Sequence, residues 1–327
     1  MIRYSEKALV SVIITLFNSE KYIQSSLESI LNQTYCEFEI IVVNDGSTDN
    51  GAAIVEQFIK SDNRIKLFHQ ENKGQCAASN YGFMQSSGEY IKFFDSDDIL
   101  SPDTLERQVK SLEGKTEMDG SYIDYIRFYD DDLSTTNRYV LPSLINYDCS
   151  PIEYIKFHGS PQMYSNAIWL FHRKVFEKAG LWNEELSVNN DGEFFPRILK
   201  NVNRLYYAPG CKLFYRTNFK SGSLSQQISH TGVQSALSSV DLMAGYVRSM
   251  EQSEVIEKII ALSYADVLWM SYPSYPKITK LVEERLSHFN PEYYKQPGSG
   301  FYGLFKKLFG WKLAKRLQLA YYKLKHS

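Results

Sequence analysis

Phe38-Glu39-Ile40-Ile41-Val42-Val43-Asn44-Asp45-Gly46-Ser47-Thr48-Asp49 changes character at its midpoint. The first six residues are β-branched and almost wholly apolar, the composition of a strand buried on both faces. The next six are turn and capping types, and Ala52, Ile54, Val55 and Phe58 continue as a helix. The same rhythm extends both ways along the chain. Upstream, Val10 to Thr15 reads as a strand, and Ile23, Leu27, Ile30 and Leu31 recur at helical spacing behind Asn18 or Ser19 as N-cap, predicting a helix over Glu20 to Gln33. Downstream come a strand at Ile65 to Phe68, a helix over Gln75 to Gln85 and a strand at Tyr90 to Phe94. Strands alternating with helices predict an α/β fold around a mainly parallel sheet.

The chain has 327 residues, 43% apolar and 23% charged, which excludes a disordered or low-complexity protein. No apolar run approaches the roughly 18 residues of a membrane-spanning helix, and Met1 to Lys7 carries no leader-like apolar stretch, so a cytoplasmic location is expected. Cys36, Cys76, Cys149 and Cys211 form no CxxC pair and are read as buried free thiols. Charge is lopsided. Seven of the 36 Lys and Arg lie in residues 298–327, which hold no Asp or Glu, leaving 29 cationic against 38 anionic side chains before them. Such a tail implies an anionic counterpart.

In open α/β sheets ligands gather where the carboxyl ends of strands meet their loops. Three polar loops occupy that edge: Leu16 to Glu20, Asn44 to Asp49 and Asp95 to Asp98. Asp95-Ser96-Asp97, directly after an apolar strand, offers hard oxygen ligands that suit Mg²⁺ or Mn²⁺ with phosphate oxygens completing the shell; a solvated, helix-capping turn is the alternative. Asp45 ends a buried strand where its carboxylate can accept an imide N–H from a pyrimidine, or cap the next helix together with Ser47. Phe17 and Tyr22 are placed to stack on a base or to join the core. Asp130-Asp131-Asp132 reads as a solvated turn.

Taken in order, Val12-Ile13-Ile14-Thr15-Leu16-Phe17-Asn18, Ile41 to Asp49, Glu71-Asn72-Lys73-Gly74 and Phe94-Asp95-Ser96-Asp97-Asp98 resemble the family 2 inverting glycosyltransferases of GT-A fold, over about residues 8 to 225. The resemblance implies a nucleoside pocket of Thr15, Phe17, Asn18 and Asp45, with Asn72, Gly74 and Ser96 beside the nucleotide. It implies that Asp95 approaches ribose or metal-bound water and that Asp97 ligates Mn²⁺ or Mg²⁺ in a DXD motif. Asn190-Asp191-Gly192-Glu193-Phe194-Phe195 resembles the family's later acidic motif with Asn for Glu, which makes Asp191 the general base, or else an N-cap, and leaves Glu193 for acceptor hydroxyls. Ser79 stands where many members carry Arg, so the compensating cation is Lys73, Arg216 or the metal. Tyr215-Arg216 with Ser221 to Ser225 resembles the segment that closes over donor diphosphate, or is a plain surface loop. His158, Trp169 and Trp182 shape a sugar pocket or, for Trp169 especially, pack in the core.

The expected organisation is a GT-A catalytic domain over residues 1–228, its nucleotide-sugar half about 1–100 and its acceptor half about 101–228, then a helical extension over 229–297 and the basic tail. Within the acceptor half, the segment from Tyr122 to Arg216 reads as less regular and aromatic-rich, with helices at Arg173 to Ala179 and Gly192 to Asn201. In the tail, Phe301, Leu304, Phe305 and Leu308 form one apolar stripe and Leu313, Leu317, Ala320 and Leu324 another, out of phase across a break at Gly310. Two readings stay open for it: peripheral contact with the inner face of a membrane, near a lipid-linked acceptor, or docking on the acidic body or another subunit. No nucleic-acid-binding motif accompanies the charge. The implied function is transfer of a hexosyl or N-acetylhexosaminyl group from a nucleotide-sugar donor, UDP-linked, to a glycan or lipid-linked acceptor in bacterial surface-polysaccharide assembly; a nucleotide-sugar-binding protein without turnover is the alternative.

Overall fold

The computed structural model describes residues 8–129, 132–138, 146–158, 165–217, 229–294 and 310–317. Its first part alternates β1 (Val10–Leu16), α1 (Ile23–Leu31), β2 (Phe38–Asp45), α2 (Gly51–Ile59), β3 (Ile65–Gln70), α3 (Gln75–Gln85) and β4 (Tyr90–Asp95). A two-residue β5 (Ile99–Leu100), α4 (Thr104–Leu112), β6 (Gly120–Tyr129), α5 (Pro151–His158), β7 (Trp169–His172), α6 (Arg173–Ala179), α7 (Asn190–Leu199) and β8 (Leu205–Thr217) follow. Three helices close the order: α8 (His230–Met250), α9 (Glu254–Ser271) and α10 (Pro276–Leu286).

The strands form one mixed sheet, in the order β3-β2-β1-β4-β7-β6-β8-β5. Strands β1 to β4 are parallel where they pair, β7 is antiparallel to both β4 and β6, and β6 runs parallel to β8. Register levels the edge that matters: Thr15 sits opposite both Val43 and Asp95, so the chain leaves β1, β2 and β4 at one height. β1 and β2 are buried on both faces almost throughout, as their continuous apolar runs require.

Two parts differ from expectation. The segment read as less regular supplies β6, β7 and β8, three of the eight strands. Its strands were masked because a bulge between Tyr122 and Asp124 breaks the two-residue alternation and because half-buried Tyr125, Arg127, Tyr206 and Tyr215 blur the apolar face. Helix α1 starts later than expected, at Ile23, since Asn18 is left-handed (φ 47°) and its side chain serves another loop. Cys36 is exposed, whereas Cys76, Cys149 and Cys211 are buried free thiols.

The described part of the tail docks on the body. Trp311 packs against Trp269 and Tyr272, Lys312 pairs with Glu283 at 2.5 Å, and the Lys315 ammonium donates to the Trp269 carbonyl. Leu313 and Leu317 remain exposed, and Gly310 before them has φ 80°. The stripe at Phe301 to Leu308, together with Ala320 and Leu324, lies outside the described residues. Among the described residues no helix is long and apolar enough to cross a membrane.

Glu39, buried on β2, shows how polar groups enter this sheet. It accepts from the hydroxyls of Ser11 and Ser87 (2.7 and 2.9 Å), from the Ser87 N–H (2.6 Å) and from Lys66 (2.9 Å). Burial alone would raise its carboxyl, but the Ser87 N–H, Lys66 and the two hydroxyls outweigh it and hold it down to about 2. A depressed folded-state value means stability present above the ordinary value of 4.5 and lost as pH falls toward about 2. In urea titrations Glu39→Gln should therefore be less stable than the native chain by about 2–3 kcal/mol at pH 7, with the gap narrowing from about pH 4.5 downward as pH falls toward about 2. A gap independent of pH would contradict this assignment.

Candidate active site

The first two loops are stitched into one unit at the level edge of the sheet. Asn18 donates its N–H to Ser47 Oγ (3.1 Å) and accepts the Thr48 N–H on Oδ1 (2.8 Å). Asp49 Oδ2 accepts the Glu20 N–H (2.7 Å), and Glu20 accepts the Asn50 N–H in return (2.9 Å). Thr15 is half-buried just below, while Phe17 stands at the rim with 45% of its surface exposed, free to lie against a planar ring.

Asp45 joins the third loop to this unit. Its Oδ1 accepts from Gln70 Nε2 (2.7 Å) and the Lys73 N–H (2.8 Å), and its Oδ2 from the Gly74 N–H (2.9 Å). Three of the roughly four acceptor positions of the carboxylate are thus filled, which leaves one for a ligand. Gly46 (φ 71°) makes the approach feasible, since a Cβ there would lie 2.9 Å from the Asn72 nitrogen. Asn72 and Gly74 are thereby brought beside Asp45, and Gly74, at φ 90°, opens α3. Neither Asp45 nor Ser47 caps α2, whose N-cap is Asn50.

In the acidic triplet after β4, Asp95 and Asp97 are half-buried and Asp98 is fully buried. Burial, then the charge of Asp97, pushes the Asp95 carboxyl up, against donors from Asn166 (3.3 Å) and Gln75 (3.0 Å) on Oδ1. Burial likewise raises Asp97, opposed by Arg216. Asp98 is fully buried and well above the usual carboxylate range through burial and its two neighbours' charges. Its Oδ1 accepts the Arg216 N–H at 2.9 Å, while Oδ2 has no partner among the described residues. Ser96 Oγ donates to Ser19 Oγ (2.9 Å), and Ser26 holds the carbonyls of Ser96 and Asp98 (2.9 and 2.7 Å).

Arg216 closes this loop from β8. Its Nε donates to the Asp97 carbonyl (2.6 Å), and its guanidinium lies over the rings of Tyr22 (4.7 Å) and Phe128 (4.6 Å). A buried cation therefore meets the acidic triplet from across the sheet, although Ser79, buried in α3, carries no charge. Lys73 is exposed and contributes its backbone to Asp45. Ser221 to Ser225 lie outside the described residues, as do Asp130 and Asp131; Asp132 is exposed in a turn.

Helix α7 completes the arrangement from the other half. Asp191 lies in its first turn, not at the N-cap, which is Asn189. Burial pushes the Asp191 carboxyl up to about 6, against the Gly192 N–H donated to Oδ1 (2.8 Å). Its charge is felt by Asp95. Gln75 links Asp95 to the residue before Asp191, donating to Asp95 and accepting from Asn190 Nδ2 at 3.4 Å. Sequence reading missed Gln75, which has no motif of its own beyond following Gly74. Glu193 is reassigned: 2% exposed and paired with Arg197 at 2.6 Å, it has no face open for acceptor hydroxyls. Trp169 and Trp182 are buried in an aromatic core, with Trp182 stacked on Phe194 at 3.7 Å, and His158 stacks on Tyr154 at 4.0 Å.

The sequence model of "Glycosyl transferase family 2" matches residues 11–180, just over half of the chain. The chain belongs to this family. It is 44% identical over 121 residues to the glycosyltransferase GlyG of Streptococcus pneumoniae, across 36% of this chain and 40% of that one. It is 31% identical over 217 residues to EpsJ, an uncharacterized glycosyltransferase of Bacillus subtilis, across 64% of this chain and 61% of that one. The family 2 chain thus spans about two-fifths to three-fifths of these curated relatives. Among solved structures, S. aureus TarS 1–349 shares its fold with a TM-score of 0.58 at 22% identity, covering 82% of this chain and 73% of that one. So does the Pyrobaculum calidifontis mannosyltransferase in complex with GDP-Man and Mn²⁺, with a TM-score of 0.58 at 16% identity over 96% of this chain and 87% of that one.

Arg216 yields a test that needs no substrate. Arg216→Lys keeps the charge but loses the planar contacts with Tyr22 and Phe128 and the Nε bond to Asp97, and should lower stability by about 1–3 kcal/mol. Denaturant midpoints measured at constant m-value would show it, and an unshifted midpoint would remove Arg216 as the clasp of the acidic loop.

Proposed function

We propose that the chain is a metal-dependent, inverting glycosyltransferase that moves a sugar from a nucleotide diphosphate donor, UDP-linked, to a hydroxyl of a glycan or lipid-linked oligosaccharide. The observation that carries this reading is that Gln75 ties Asp95, at the edge where three strand ends come out level, to Asn190 at the start of α7, which brings the Asp191 charge to bear on Asp95. Support for the donor class comes from solved relatives of the same fold, which are complexes with UDP-GlcNAc in TarS and with GDP-Man and Mn²⁺ in the mannosyltransferase.

The residues suit a divalent cation that shares its shell with the substrate. Among the described residues no group of three or more His, Cys, Asp and Glu is arranged to hold a metal alone. Two crowded, desolvated carboxylates, Asp95 and Asp97, with phosphate oxygens and water completing the shell, match the way Mg²⁺ and Mn²⁺ bind diphosphates. When bound, the cation supplies positive charge against the departing diphosphate. Thr15, Phe17, Asn18 and the remaining acceptor position of Asp45 receive the nucleoside, with Asn72, Gly74 and Ser96 beside it. Asp191 takes the acceptor proton on Oδ2, because Gly192 already holds Oδ1. As that O–H bond breaks, the acceptor oxygen bonds to the anomeric carbon and the bond to the diphosphate oxygen breaks on the opposite face, which inverts the centre. For a lipid-linked acceptor, exposed Leu313 and Leu317 offer contact with the inner face of a membrane.

Calorimetric titration with UDP, GDP and dTDP, each with Mn²⁺ and with EDTA, tests the donor side. UDP should bind with Mn²⁺, lose at least about tenfold in affinity with EDTA, and lose a similar factor in Asp97→Ala. Absence of binding by every nucleotide would overturn the donor site, and binding without turnover would leave a binding protein. On the base side, the raised Asp191 carboxyl must be ionised to act. Turnover should thus be level above about pH 6 and fall about tenfold per pH unit below it. Asp191→Asn should lower kcat by about 10²–10⁴; a variant with native kcat would remove Asp191 as base.

A further inference from the structure

We infer that α8 is a positioning element for the proposed base, and that Ser235 and Ser239 on one of its faces set where the Asp191 carboxylate stands. The inference rests on the reading of Asp191 given above. The two serines are buried, at 6% and 0% exposure, and each is saturated by the segment leading into α7. Ser235 Oγ accepts the N–H groups of Ser187 (2.9 Å) and Val188 (3.1 Å) and donates to the Val188 carbonyl (3.0 Å). One turn on, Ser239 Oγ donates to the Asn189 carbonyl (2.6 Å) and accepts from Asn189 Nδ2 (3.0 Å). Farther along the same helix, the Tyr246 hydroxyl donates to Glu193 Oε1 (3.2 Å). Contacts from a single helix thus bracket Asp191 on both sides.

The segment needs such a hold because it turns through a left-handed residue. Asn189 has φ 59°, a conformation that Asn tolerates better than other non-glycine residues but for which extended and right-handed alternatives lie close in energy. Its amide is folded beneath the first turn of α7, where a Cβ on residue 192 would lie 2.4 Å from Asn189 Oδ1, so only Gly192 leaves room. Without the serines, residues 187–189 have cheaper conformations, and each moves the start of α7 and the carboxylate it carries. A displacement of about 1 Å at a reacting group costs on the order of 10² in rate. The Glu193–Arg197 pair belongs to the same device: it gives Tyr246 a fixed acceptor on α7.

The test uses the full chain with UDP-GlcNAc, UDP-glucose and GDP-mannose, read as released nucleoside diphosphate, beside calorimetric UDP affinity and thermal melting. Ser235→Ala and Ser239→Ala should each lower kcat about tenfold or more while donor KM and UDP affinity stay within about twofold, and Ser235→Thr should restore the rate. In an Asp191→Asn background the same substitutions should cost nothing further, because they act through Asp191. Should the alanine variants not fold, Asn189→Gly removes the Nδ2 bond to Ser239, keeps the carbonyl bond and frees the backbone of the turn, and should lower kcat about threefold or more with UDP affinity unchanged. Native kcat in the folded variants, or an equal loss with and without the Asp191 carboxylate, overturns the positioning role while leaving the base in place. Native turnover by Asp191→Asn, or no release from any donor, instead overturns the reading on which it rests.

Discussion

The grip of Arg216 on the loop after β4 is the constraint on which the rest of the site depends. Three carboxylates in four residues, largely removed from water, repel one another, and every one of them is pushed toward its neutral form. A loop of that composition keeps a compact shape only where donors meet it. Arg216 supplies its own N–H to Asp98 and its Nε to the Asp97 carbonyl, and two aromatic rings hold the guanidinium in place. The mixed half of the sheet makes this feasible: β5, formed just past the loop, pairs with Phe214 and Leu213 of β8 and brings Arg216 alongside.

A second constraint ties the two halves of the molecule. The parallel half ends in loops that are hydrogen-bonded to one another through Asn18, Asp49 and Asp45, a cross-tied floor for the proposed site. The proposed base comes from α7, far along the chain, and meets that floor through Gln75, which holds Asp95 with one end of its amide and Asn190 with the other. Helix α8 restrains the same turn from behind. The helical extension is therefore part of the framework of the proposed site, because the loop that leads to Asp191 satisfies its polar groups on it.

Legibility from the residues followed burial. β1, β2 and β4 and helix α2 were readable because strands covered on both faces show unbroken apolar runs and α2 shows an apolar stripe, whereas α3, which has no marked stripe, was readable from its place between two strands. β6 and β8 were not, since a bulge and a half-exposed aromatic face remove the periodic signal. Asp45, Asp95, Asp97 and Asp191 stood out by position after apolar runs or in recognisable motifs. Gln75, Ser235 and Ser239 did not, because a polar residue on a helix looks solvated until the segment it faces is known. For Glu193 the signal was half local: Arg197 four residues on marks an i,i+4 pair, while only the fold brings Tyr246 to it.

The amino-acid order by itself determined the α/β class, the three polar loops and the carboxylates they carry, because backbone periodicity and turn chemistry are local. It also determined the family, through an ordered set of motifs. Only the tertiary structure decided that Arg216 meets the acidic triplet, that Gln75 joins Asp95 to Asn190, that the described tail helix turns Lys312 and Lys315 onto the body, and that α8 holds the loop before α7. Each of these joins residues distant in the chain, and each exists because a buried polar or charged group must find its partner wherever the fold places one.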